Sequence, residues 1–83
     1  MSLSPRLRLP LGRLRIISGR DVCRILERHG FQVVRQRGSH LVLQRVTPEG
    51  TTTIPVPDHA ELRIGTLRSI IRQSGISRGE FES

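Results

Sequence analysis

The first clear apolar repeat in the chain predicts an amphipathic helix. Val22, Ile25 and Leu26 recur at three- and four-residue spacing, which places their side chains on one face of a helix. Ser18 stands where a capping residue accepts a hydrogen bond from the first turn, and a glycine follows the last apolar position. We therefore predict a helix over residues 19–29.

A second helical repeat lies near the C-terminus. Leu67, Ile70 and Ile71 form its apolar stripe, and Gly75 supplies a residue that can adopt the left-handed conformation and end the helix. We expect this helix to begin at Thr66 or just before it.

Between the two helices the pattern changes to three short β-like segments, residues 31–36, 39–46 and 51–56. The gaps between them are only two and four residues long, which is typical of antiparallel neighbours. In the middle segment the leucines alternate with other residues, so if the leucines face the core, His40 and Gln44 point to the opposite side of the sheet.

The predicted order is helix, three antiparallel strands and helix. If both helices cover the same face of the sheet, both apolar stripes are buried in one core. The expected fold class is therefore α+β, with the layout of a double-stranded RNA-binding domain. Residues 16–83 are expected to form this single domain, whereas residues 1–15, interrupted by Pro5, Pro10 and Gly12, are expected to be a poorly ordered basic extension.

Composition narrows the class of partner. The 83-residue chain carries a formal charge of +7, and its 14 basic residues are all arginine. Because the planar donor fork of arginine suits phosphates, nucleic acid is the default partner. The two aromatic residues are both Phe, so we expect binding through backbone phosphates rather than through base stacking.

The single cysteine and the absence of long apolar runs bear on location. Cys23 has no second cysteine with which to form an internal disulfide, and we expect it to be a small buried residue of the first helix. The longest apolar runs are far too short to span a bilayer, and the arginines near the N-terminus do not fit a secretion signal. These features favour a cytoplasmic protein with no membrane partner.

The residues that suggest chemistry are Gly38, Ser39 and His40, on a turn between two predicted strands. Histidine changes protonation near neutral pH, and Arg35 and Arg37 precede it closely. A titratable group beside fixed cations is suited to chemistry on a phosphate. Taken alone, however, a histidine after Gly-Ser is more often an ordinary surface turn residue.

The chain resembles the HicA-type mRNA interferase toxins. The matching segments occur in the family's order and spacing, at residues 18–21, 29–31, 35–40, 55–59 and 65–75. Each segment alone is a weak signal, but five in series make a specific match. The resemblance implies a small bacterial toxin of a type II system that cuts RNA and is neutralised by a HicB-type antitoxin.

This resemblance gives His40 the catalytic role, as a general acid/base that acts without a metal. The RNA phosphates are expected to be bound by turn residues, arginines and a loop histidine, namely Gly38, Ser39, Arg35, Arg37, Arg45, His59, Arg68 and Arg72. For His59, packing on the sheet edge is an equally good interpretation. The alternative for Arg68 and Arg72 is a solvated helix face, but because every basic residue is arginine, we favour a contact of Arg68 or Arg72 with RNA.

Two other functions are compatible with the same residues. A non-catalytic RNA-binding module of this fold would need no histidine on the open side of the sheet, and an interaction protein could use its basic surface to bind an acidic partner. The three histidines are far apart in sequence and lack the close pairs of zinc ligands. We therefore expect no metal or cofactor, and a monomeric free protein.

Overall fold

The computed structural model describes Leu14 and residues 16–82. The predicted basic extension, residues 1–15, therefore lies outside the described residues except for Leu14. This residue forms an isolated antiparallel bridge with Glu82 and packs against the core, so contact with the domain extends at least this far toward the N-terminus.

The secondary structure follows the predicted order, and every predicted boundary agrees within one or two residues. The elements are α1 (Gly19–Arg28), β1 (Gln32–Arg37), β2 (His40–Thr47), β3 (Gly50–Pro57), α2 (Ile64–Ser74) and a 3-10 turn (Arg78–Phe81).

The helix ends are set by the residues that the sequence indicated. The Asp21 backbone N–H donates to Ser18 Oγ at 3.0 Å, which satisfies one of the unpaired donors of the first turn of α1. Gly30 and Gly75 have φ angles of 93° and 72°, a region that glycine enters at little cost. Both glycines therefore end their helices as predicted.

The three strands form one antiparallel sheet in the order β1-β2-β3. Gly38, with φ 58°, allows the two-residue turn that joins β1 to β2. Pro55 lies in β3, an edge strand, where a missing N–H does not interrupt an interior ladder.

Both helices pack against the same face of the sheet, which confirms the predicted α+β fold with the arrangement of a double-stranded RNA-binding domain. The buried core consists of residues from both helices and from β2 and β3, chiefly Val22, Ile25, Leu26, Leu67, Ile70, Leu43, Ile54 and Val56. Cys23 is also buried in this core. Within the described residues, neither helix has the length and apolar character needed to cross a bilayer.

Candidate functional site

His40 is the first residue of β2 and lies on the face of the sheet opposite the helices, which we call the open face. Its cross-strand neighbours are Arg37 on β1 and Pro57 on β3. Directly paired residues of antiparallel strands point to the same side, with their Cβ atoms about 5 Å apart. His40 is exposed and has an arginine as its immediate neighbour.

A β-bulge in β1 brings a second arginine to the same face. The pairing shifts between Val33, opposite Leu43, and Arg35, opposite Val42. In a regular strand residues 33 and 35 would share a face, but the extra residue at the bulge sends Val33 to the helix side and Arg35 to the open side. The bulge therefore places both β1 arginines beside His40.

Around His40 these side chains enclose a shallow cavity of about 300 Å³, the arginine cavity, which is lined by Arg35, Arg37, His40, Val42, Thr53 and Pro55. Val42 forms its floor and is only 5% exposed. Neither arginine takes part in an ion pair with another described residue. Their charges are therefore available to an anionic ligand.

On its other side His40 borders an open groove of about 440 Å³ between β3 and α2. We call it the helix groove, and its lining consists of His40, Pro55, Pro57, Gly65, Thr66, Ser69, Ile70 and Gln73. Apart from His40, none of these residues has an ionisable side chain. His40 thus stands between a cationic cavity and a neutral polar groove.

The loop after β3 is held against the start of α1 by a close backbone contact. The Gly19 N–H donates to the His59 carbonyl oxygen at 2.9 Å. A Cβ atom at Gly19 would lie 1.9 Å from the Pro57 carbonyl oxygen, so no larger residue fits without moving backbone. The glycine is therefore required by packing.

A second contact joins the same two segments through side chains. Arg20 binds the Asp58 carboxylate with two hydrogen bonds, Nε to Oδ1 at 3.1 Å and Nη2 to Oδ2 at 3.0 Å, and the hydrogen bonds and charge of Asp58 raise the pKa of Arg20. The Asp58 N–H in turn donates to the Ser39 carbonyl oxygen at 2.6 Å. Arg20 is thereby linked through Asp58 to the turn residue that precedes His40.

Arg45, predicted to bind RNA phosphate, lies on the opposite side of the sheet from His40. Its guanidinium is 4.5 Å from the centre of the Phe31 ring and donates to two carbonyl oxygens, of His29 at 3.2 Å and of Ser74 at 3.0 Å. These carbonyls belong to the C-terminal ends of α1 and α2, where a cation is favoured. Arg45 is thus not placed beside His40, because the alternation along β2 puts it on the helix side.

Three other predicted contacts lie outside the two cavities around His40. Arg68 and Arg72 are exposed on α2 but do not line the helix groove, whose α2 side is formed by other residues. His59 is exposed in the loop after β3, and its described contact is the backbone one to Gly19. Gly38 and Ser39, by contrast, directly precede His40 in the turn.

Two features of the site were not predicted from the sequence: the α2 side of the helix groove and the link from Arg20 to Asp58. Thr66, Ser69 and Gln73 have the spacing of one helix face, and this polar stripe beside the apolar one was a usable signal. The link joins residues 38 positions apart in sequence, which meet only after folding, so spacing alone could not have indicated it. Among the described residues, no group of three or more His, Cys, Asp or Glu side chains is placed to hold a metal ion.

These observations define an α+β domain of the double-stranded RNA-binding type with a histidine and two arginines on its open face. Comparison with known families agrees with this class: a family model described as HicA toxin of bacterial toxin-antitoxin matches residues 19–76. The chain belongs to the HicA toxin family. It is accordingly the toxin member of a toxin–antitoxin pair, and an antitoxin is its expected partner. A search of curated proteins found no match.

Proposed function

We propose that this protein is a metal-independent endoribonuclease, an mRNA interferase toxin of a type II system, with His40 as its general acid/base. The observation that carries the proposal is the position of His40, exposed on the open face beside two arginines that make no ion pair with other described residues. A titratable group next to available cations is what cleavage by a neighbouring hydroxyl requires.

In the proposed reaction, the neutral imidazole of His40 takes the proton of a ribose 2′-hydroxyl. The 2′-oxygen forms a bond to phosphorus while the bond from phosphorus to the 5′-oxygen breaks. The departing 5′-oxygen takes up a proton from the imidazolium or from water. The products are a 2′,3′-cyclic phosphate and a 5′-hydroxyl, and no electrons are exchanged with a cofactor.

Arg35 and Arg37 hold the phosphate while negative charge builds on its oxygens. Gly38 lets the backbone approach the phosphate closely, and Ser39 supplies a hydroxyl donor next to the reacting group. Fixed donors of this kind stabilise developing charge without reorganising during the reaction.

Other contacts are secondary in this proposal. His59, Arg68 and Arg72 lie outside the two cavities and would bind only more distant phosphates of a longer RNA. Arg45 takes no part, because its guanidinium is bound to the helix ends. The proposed setting is the bacterial cytoplasm, where a monomeric toxin acts on mRNA until a HicB-type antitoxin binds it.

The test is the variant His40→Ala, with His29→Ala as a matched control. His29 is also a partly exposed histidine, but its ring faces Glu80 at 3.4 Å and lines neither cavity. Loss of a general acid/base group lowers rates by about 100- to 10,000-fold, so His40→Ala should lose RNA cleavage and growth inhibition while staying folded. His29→Ala should keep both.

Full cleavage by folded His40→Ala would disprove the catalytic assignment. If the wild-type protein binds RNA but cuts none, the non-catalytic RNA-binding module becomes the better interpretation.

A further inference from the structure

We propose that the helix groove binds one nucleobase of single-stranded RNA, and that Gln73 and Ser69 distinguish among the four bases. This inference rests on the proposed function, because it takes the neighbouring phosphate to lie in the arginine cavity. It assigns the groove a role in sequence selection that is separate from the chemistry at His40.

The position of the groove is the first reason. His40 and Pro55 line both the arginine cavity and the helix groove, so the two sites adjoin across these two residues. A nucleotide with its phosphate at Arg35 and Arg37 can therefore direct its base to the far side of His40. The groove volume of about 440 Å³ is within the range of small-ligand sites, about 300 to 1,000 Å³.

The second reason is the chemistry of the lining. Gln73 Nε2 donates to Ser69 Oγ at 2.9 Å, which orients the amide and leaves its oxygen as an acceptor and the serine hydroxyl hydrogen as a donor. Paired donors and acceptors of neutral side chains read the edges of bases. The groove lacks the arginines that a second phosphate would require, since Arg68 and Arg72 do not line it.

The third reason is Gly65, near the start of α2. Apart from its chain neighbours and the backbone of its own helix, a Cβ atom there would meet nothing within 4 Å, and the glycine has no positive φ. Packing and backbone geometry thus permit a larger residue, and one would favour the helix. A side chain at this position would instead occupy the groove, so the glycine leaves room for a ligand.

Single-stranded RNA is the form that fits such a site. In RNA duplexes the Watson–Crick edges are paired with each other and the deep major groove is closed to side chains, whereas unpaired bases can be turned out into a protein surface. The Pro55 and Pro57 rings and Ile70 offer the groove's apolar contacts, and the Gln73–Ser69 pair offers the polar ones.

The experiment measures the affinity of the full chain for short 2′-O-methyl oligonucleotides of A, C, G or U, which lack the attacking hydroxyl and cannot be cut. The wild-type protein should prefer one base. A good side-chain pair discriminates between bases by about 5- to 150-fold, and this preference should fall to about twofold or less in Gln73→Ala and in Gly65→Leu.

Gln44→Ala is the matched control. The Gln44 amide also donates to a hydroxyl, that of Thr53 at 3.2 Å, but Gln44 lies outside the helix groove. This variant should keep the wild-type base preference. Melting curves should show that Gly65→Leu is no less stable than the wild type, which separates a filled groove from a damaged fold.

The outcomes separate the inference from the proposed function. A wild-type protein with no base preference, or a preference that survives in both groove variants, overturns the assignment of the groove, even if the protein cuts RNA through His40. A base preference lost in both variants supports it, even if unmodified RNA is never cut and the nuclease proposal therefore fails.

Discussion

At the scale of single residues, arginine has different roles on the two faces of the sheet. Arg35 and Arg37 line a cavity beside His40, whereas Arg45 joins the ends of the two helices. The alternation that placed His40 opposite the core leucines also places Arg45 on their side. The alternation along β2 therefore indicated the correct sheet face for Arg45, whereas its closeness to His40 in sequence was misleading.

Burial of the Cys23 thiol makes the stability of the fold depend on pH, and this effect can be tested. Desolvation, with a smaller effect from the charge of Glu27, raises the pKa of its thiol to about 11. In the unfolded chain the pKa of a cysteine thiol is about 8.5. The folded state then holds a proton that the unfolded state has lost. The resulting stabilisation is present below about pH 8.5 and is lost as the pH rises toward 11, about 3 kcal/mol in total.

The chain has neither lysine nor tyrosine, so no other side chain titrates normally in that interval. Urea unfolding of the wild type between pH 8.5 and 11 should show the decline. Cys23→Ala should be less stable at neutral pH but nearly independent of pH in this range. An equal decline in the variant would contradict the assignment to Cys23.

At the scale of elements, the turn that carries His40 is held by contacts between distant segments. At the start of α1, Gly19 and Arg20 form hydrogen bonds to the loop after β3. The Asp58 N–H of that loop donates in turn to the Ser39 carbonyl oxygen. Periodicity located each element within one or two residues. It also indicated that both helices cover one face of the sheet, but not which residues meet where the elements join, because this depends on contacts such as the one between Gly19 and Pro57.

We predict that Arg20→Ala slows RNA cleavage by up to about 100-fold, since small displacements of a reacting group have effects of that size. The loss should appear in kcat rather than in KM, and the melting temperature should change little because the pair is at the surface. Single-turnover kinetics would measure the change in the rate of RNA cleavage.

Arg24→Ala is the control, because Arg24 is on the same helix, is paired with Asp21 and is as exposed as Arg20, both at 65%. It removes the same charge and should leave kcat unchanged. Equal effects of the two substitutions would mean that general charge, and not the link to Asp58, is responsible.

At the scale of the whole molecule, the open face combines positive charge with apolar side chains. Arg35 and Arg37 lie at the His40 end, and Val34 and Val46 are exposed toward the other end, at 43% and 77%. Val42, which the alternation also places on this face, is already covered. An antitoxin that binds here would place acidic groups at the arginines and apolar groups at Val34 and Val46.

We therefore predict that antitoxin and RNA compete for the open face. With His40→Ala toxin and labelled RNA, added antitoxin should release the RNA. Val46→Asp should weaken antitoxin binding with little effect on RNA, whereas Ile16→Asp, a change at an equally exposed apolar residue (79%), should affect neither. Simultaneous binding without mutual weakening would exclude occlusion and point to inhibition from a distance.

The most direct test of the central claim is to identify the ends of RNA cut by the wild-type protein in excess EDTA, with His40→Ala in parallel. Metal-independent catalysis by His40 predicts undiminished cleavage that leaves 2′,3′-cyclic phosphate or 3′-phosphate ends and 5′-hydroxyls, and none of these products from folded His40→Ala. Products with 5′-phosphates, or cleavage lost in EDTA and restored by a divalent ion, would contradict it, because they indicate attack by a metal-activated water.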